Sequence, residues 1–300
     1  MKTLLICHDD AALDREGLVR WLASFSTFTG TVVIREPGGR LKNRIKREMS
    51  RVGFWRFFDV LAFRLYYRLA HARGDRVWEQ RELARLRTWF PERPDTPELI
   101  VSSPNSPEAE AFIREHQPEL VLARCKTLLK ERIFTIPQLG TYVMHPGICP
   151  EYRNAHGCFW ARATGDDRNV GMTLLRIDTG VDTGPVYGYF RVNADGADGA
   201  DGADGADNAE SHVITQHRVV LEHLDAIRDK LLEIEAGTAE RIDTAGRHSA
   251  TWGQPWLSAY LTMRRRTRKS AVGSLKSDGA GILSTAQTSD LRLQTFKSQP

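Results

Sequence analysis

The chain has 300 residues, 41% hydrophobic and 27% charged, with a formal net charge of +4. That balance suits one large or two small globular domains, and no apolar run reaches the ~18 residues of a membrane-spanning helix. Four cysteines, Cys7, Cys125, Cys149 and Cys158, show no CxxC spacing, so free thiols in a cytoplasmic protein are expected.

Taken in chain order, Lys2 to His8 (KTLLICH) reads as a buried strand. Asp9 and Asp10 follow it at once, which argues against a signal peptide. Leu13, Leu18, Trp21 and Leu22 recur at helical spacing, and TGTVVIRE from Thr29 reads as a second strand. Between Gly38 and Pro91 lies a segment rich in arginine and aromatics. Its Ile45, Met49, Val52, Phe57, Leu61, Leu65 and Leu69 predict helices inserted between strands (about 39–92). A solvated basic face is the favoured reading of this insertion, and nucleic-acid or membrane contact the less favoured one. Its aromatics are too dense for one narrow stripe, so part of the surface should face the sheet or another subunit.

ELIVSS from Glu98, a helix over residues 107–116, ELVLAR from Glu119 and LGTYVMH ending at His145 continue the alternation of strands and helices. Such alternation predicts a doubly wound, mostly parallel α/β sheet. Ligands bind beyond the carboxyl ends of strands in such sheets, and His145 sits at one. Residues 193–208 are an Ala-Asp-Gly repeat, expected as a mobile loop; its aspartates lack the spacing of a calcium loop. Ser211 then caps one long amphipathic helix that Gly237 ends. Residues 209–262 are expected to pack on the 1–192 domain, and 263–300 to form a disordered basic and polar tail.

Two stretches carry chemistry. HPGICPEYRNAHG, from His145, stiffens a turn with two prolines and a glycine around an imidazole. DTGVDTGP, from Asp178, has Gly180 and Gly184 on either side of Asp182, letting the backbone bend and present the carboxylate. A metal site built from His145, His156, Cys158 and Asp182 lacks compact ligand spacing, so none is expected.

The pattern H-P-G-x-x-P-x-Y-R-x-x-H-G, followed by a strand and D-x-G-x-D-T-G-P, resembles the folate-dependent formyltransferase family, most specifically from Gly140 to Phe190. The resemblance implies a Rossmann-like sheet and transfer of a formyl group from 10-formyltetrahydrofolate to an amine. It implies that His145 and Asp182 are catalytic. It also implies an Asn two residues before the histidine, where this chain has Val143. By the same resemblance Arg124, Cys125, Val143, Asp178 and Gly180 line the formyl-folate pocket. Tyr152, Arg153, Asn154 and His156 then face the substrate.

Local roles compete with these. Asp178 can cap its own turn, Tyr152 and Arg153 can shape the loop, and His156 can pack at a helix start. The Asn154 amide is a candidate to replace the missing donor. The acceptor is expected to be an amino sugar or a small biosynthetic intermediate, because the region after residue 193 leaves little room for a further β-barrel. The protein is read as an enzyme, with a homo-oligomer possible and the oligomeric state not fixed by the sequence. Alternatives are hydrolysis of formyl-folate, transfer of another one-carbon or acyl group, or an impaired folate- or nucleotide-binding protein.

Overall fold

The computed structural model describes residues 1–36, 49, 53–192 and 210–266. The triplet repeat, the start of the insertion and the tail after Arg266 lie outside the described residues. Five parallel strands come first: β1 (Lys2–His8), β2 (Thr27–Ile34), β3 (Glu98–Val101), β4 (Leu120–Arg124) and β5 (Gly140–His145). β1, β2, β4 and β5 are largely buried, as inner parallel strands should be, while β3 is a mostly exposed edge. A short strand β6 (Arg153–Asn154) follows, then β7 (Gly171–Arg176) and β8 (Val186–Arg191). The last two pair antiparallel and complete a seven-stranded sheet of order β3-β2-β1-β4-β5-β7-β8. The strand order reverses beside β1, so the crevice expected to hold a ligand opens over the carboxyl ends of β1, β4 and β5.

Helices cover both faces. One core cluster joins Leu5, Leu122, Tyr142 and Met144 of the sheet to Leu18, Trp21, Val219, Ile227 and Leu231. The other joins Ile6, Val32 and Val121 to Ala109, Ile113 and Ile133. The first helical segment opens as a π-helix, Leu13–Leu18, and tightens into α1 (Val19–Ala23). The insertion is a helical hairpin over its described part, α2 (Phe54–Ala70) and α3 (Ala72–Trp89). It seats on the domain through Leu83 and Leu86 and through Arg87, which reaches Glu16 with two hydrogen bonds of 2.6 and 2.8 Å.

Ser106 caps α4 (Pro107–His116), accepting from Ala109 N, and α5 (Glu131–Phe134) and α6 (Gly157–Thr164) are shorter. The single long helix expected after Ser211 is two, α7 (His212–Glu222) and α8 (Leu224–Ala236). At the joint, the His223 ring sits 2.8 Å from the Val219 carbonyl, the acceptor its own backbone N–H would take in a continuous helix. The backbone N–H turns to Val220 instead, and the helix breaks. The chain then returns to pair β9 (Thr251–Trp252) with β6 and ends in a helix over 257–266.

Candidate active site

The loop after β5 is built by close backbone contact. A Cβ on Gly147 would lie 2.9 Å from Gly157 Cα, and one on Gly157 would lie 2.6 Å from the Pro146 carbonyl. Only glycines let the two segments touch, which is the physical reason for the H-P-G and H-G pair. Thr173 on β7, in register with His145, braces the turn. Its hydroxyl donates to Gly147 O (2.6 Å) and accepts from Cys149 N (3.0 Å).

His145 and Asp182 meet. Nδ1 of the ring is 3.4 Å from Asp182 Oδ2, and Nε2 donates to the Tyr152 carbonyl at 2.8 Å. The imidazole is buried, 3% exposed, while the carboxylate keeps 16% of its side-chain surface. Oδ2 accepts from Asn154 N at 2.7 Å, and both the hydrogen bond and the ion-pair contact of Asp182 among the described residues go to that oxygen. The second oxygen, Oδ1, takes part in neither. Asp182 and Asn154 both adopt left-handed backbone, φ 52° and 79°, which short polar side chains tolerate.

The remaining sequence-predicted residues divide into those at this pair and those committed elsewhere. Arg153 donates to the Val181 carbonyl at 3.1 Å and so pins the Asp182 loop; its Nε is buried with no hydrogen-bond partner among the described residues. Asn154 sends its side-chain amide to the Trp252 carbonyl, so only its backbone N–H serves the pair. Tyr152 gives its carbonyl to His145 and its hydroxyl to Asp166 (2.9 Å). Asp178 closes its own turn, accepting from Gly180 N (2.9 Å) and Thr183 Oγ1 (2.8 Å).

Arg124 pairs with Asp14 (3.1 Å) and donates to Met144 O (2.7 Å). Burial pushes the Cys125 thiol up to about 12, which removes it as a thiolate nucleophile. Val143 packs against Cys149, Leu175 and Val186, so the side chain two residues before His145 faces apolar groups. His156 starts α6 in left-handed backbone, φ 55°, with Nδ1 3.3 Å from Gln216 Nε2. Burial, then the nearby Lys126 charge, lowers its pKa to about 4, so the ring is neutral near neutral pH and accepts the amide hydrogen.

Three contributors escaped the reading of the sequence. His8, at the end of β1, accepts from Lys126 N at 3.1 Å and ties the ends of β1 and β4 across the crevice. Trp252 stacks on Trp160 (centroids 4.8 Å apart) and donates its indole N–H to Glu151 O. Arg247 grips Glu151 with bonds of 2.9 and 2.7 Å. The only local signal was the aromatic-rich ATWGQPW segment. Among the described residues, no group of three or more His, Cys, Asp or Glu is placed to hold a metal ion. No helix there is long and apolar enough to cross a membrane.

Comparison with known proteins locates this geometry. Residues 92–203, from β3 through β8, match the formyl transferase family model. Methionyl-tRNA formyltransferase from Dehalococcoides mccartyi (strain CBDB1) is 37% identical over 93 residues, 30% of this chain and 30% of that protein. The Thermotoga maritima methionyl-tRNA formyltransferase is 30% identical over 96 residues, 32% of this chain and 30% of that protein. The chain thus matches under a third of the length of these curated relatives. Among solved structures, a sugar N-formyltransferase from Shewanella sp FDAARGOS_354 aligns with a TM-score of 0.48 at 14% identity, covering 84% of this chain and 77% of that one.

Proposed function

From the premise that the chain belongs to the formyl transferase family over residues 92–203, we propose that it moves a formyl group from 10-formyltetrahydrofolate to the amine of a small acceptor, an amino sugar or a biosynthetic intermediate, in the cytoplasm. The observation that carries the proposal is the 3.4 Å approach of His145 Nδ1 to Asp182 Oδ2 at the carboxyl end of β5. The folate donor supplies an activated formyl carbon. The residues present fit it through the unpartnered buried Nε of Arg153 beside the Asp182 loop, and through Cys125 and Ile177, which share one apolar cluster.

Within this reading the chain's own groups manage the proton. Asp182 Oδ1 meets the incoming ammonium, orients it and takes its proton. Asn154 N–H fixes the other carboxylate oxygen, so the acceptor orbital points one way. His145 is held at Nε2 by the Tyr152 carbonyl, which leaves Nδ1 to exchange a proton with Asp182. An amide donor at position 143 typically contributes about 10²–10³ in rate at such a centre; Val143 supplies none, so the account predicts a slow enzyme.

The test is formyl release from 10-formyltetrahydrofolate with and without a panel of amino sugars. Acceptor-dependent formylation supports the proposal. Release at the same rate without acceptor makes the protein a formyl-folate hydrolase, and folate binding without release makes it a binding protein.

A further inference from the structure

α2 is apolar on two opposite sides. Phe57, Val60 and Phe63 are buried on the domain, where Phe63 meets Phe159 (5.8 Å between centroids) and Tyr260 (5.4 Å). On the other side Phe54, Phe58, Leu61, Leu65 and Leu69 recur at helical spacing, and all five are exposed. At 100° per residue they fall within an arc of about 80°. Trp55 beside them is 84% exposed. The stripe continues onto α3 through exposed Val77, along a groove of about 570 Å³ walled by Leu69, Arg73, Val77, Trp78 and Arg81. A helix apolar all round is normally covered all round, and a contiguous apolar surface of this kind marks an interaction site.

The charges on the hairpin are sorted. All eight arginines of α2 and α3 are exposed; Arg87 turns to Glu16 on the domain and Arg56 lies over Trp256, while the four carboxylates, Asp59, Asp75, Glu79 and Glu82, are buried or half-buried. Asp59 accepts from Ser258 N (3.0 Å), and Asp75 accepts from Ser211 (2.6 Å) and Tyr67, so both turn towards the domain. The helix over 257–266 packs beside α2 through Ser258 and Tyr260 and ends in Arg264–Arg266. In the sequence just before α2, Arg40, Lys42, Arg44, Lys46, Arg47 and Arg51 stand against Glu48 alone.

We propose that the outer face of the α2–α3 hairpin docks on an anionic phospholipid bilayer. Phe54, Trp55, Phe58 and the leucine stripe enter the headgroup boundary while the arginine rim meets the lipid phosphates. The sorting of charge decides the partner. A second copy would set one arginine rim against another across a self-complementary interface. A nucleic acid would stack its bases on aromatic faces, whereas the centre of this stripe is aliphatic: Leu61, Leu65, Leu69 and Val77. The proposal is independent of the formyl-transfer reading.

The experiment is co-sedimentation of the full chain with vesicles of phosphatidylcholine alone or mixed with phosphatidylglycerol, with tryptophan emission recorded in parallel. The chain is expected to sediment with the anionic vesicles, shift its emission to the blue and release at high salt. Trp55→Ser combined with Phe58→Ser and Leu65→Ser should weaken partition at least about tenfold at an unchanged melting temperature. Arg68→Gln with Arg73→Gln should weaken it roughly tenfold. Any of three results overturns the proposal: no binding to anionic vesicles, a dimer that the apolar triple variant converts to monomer, or binding to single-stranded RNA without binding to vesicles.

Discussion

The loops at the carboxyl end of β5 and the outer face of α2 obey opposite rules. Around His145 the polar atoms are nearly all partnered and held by contacts that cross the chain: Tyr152 O on one ring nitrogen, Asp182 on the other, Asn154 N on the carboxylate. On α2 large apolar side chains stand in solvent beside arginines. A buried polar group left without a partner costs about 1–3 kcal/mol, so the first region tolerates little change. A surface substitution away from buried partners usually changes stability by less than about 0.5 kcal/mol. The difference teaches where stability and where association reside: a substitution that strips a partner from the site or forces bulk into it should be read in unfolding, and one on the helix only in partition to a surface.

That contrast can be pressed in order of expected effect. Gly157→Ala forces a methyl into the Pro146 carbonyl and the Gly147 backbone. It should cost about 3 kcal/mol in urea unfolding, the upper end for overpacking, because backbone must move on both sides. Val143→Asn, which introduces the amide that the resemblance implies at this position, puts a polar group among Cys149, Leu175 and Val186. It should lower stability by about 1–3 kcal/mol with no gain in formylation rate; a large gain would mean the pocket still accommodates the donor.

Asn154→Ala removes the amide bond to Trp252 and leaves an alanine at φ 79°. A loss of about 1–2 kcal/mol is expected in thermal melts, with β9 loosened, as hydrogen exchange at Thr251 and Trp252 would report.

Acid should act through buried neutral rings. Burial lowers the pKa of His8, His71, His156, His212 and His217 below the usual 6.5. In that window the unfolded chain binds more protons than the folded one. Stability is therefore fully present above about pH 6.5 and falls as pH drops towards 4, the value for His156. The melting temperature should follow this course, and His156→Asn should flatten part of the slope. Smallest of all, Phe58→Ser on the open face of α2 should change unfolding free energy by less than about 0.5 kcal/mol; a larger loss would mean that this face is covered in the isolated protein.

Much of the sheet was legible because its inner strands are continuous apolar runs. Lys2–His8 and Pro107–His116 form as their patterns require. The meeting of His145 and Asp182 was legible because glycines and prolines bracket both. The buttress behind them was not: Asn154 reaches Trp252 and Glu151 reaches Arg247 across about a hundred residues, and no local spacing encodes such contacts. The break at His223 was hidden because an apolar stripe continues through it, while one imidazole takes the Val219 carbonyl. The helical spacing of Leu61, Leu65 and Leu69 was visible, but periodicity alone does not tell a covered stripe from an open one.

The central claim is that Asp182, steadied by His145 and Asn154, receives the proton of the acceptor amine. Asp182→Asn keeps an oxygen for the Asn154 N–H and nearly the same shape, but no longer a base. Single-turnover formyl transfer by this variant, with donor and acceptor saturating, tests the claim most directly. The account predicts a rate about 10²–10⁴ below the parent at an unchanged melting temperature; a rate within about twofold of the parent would contradict it.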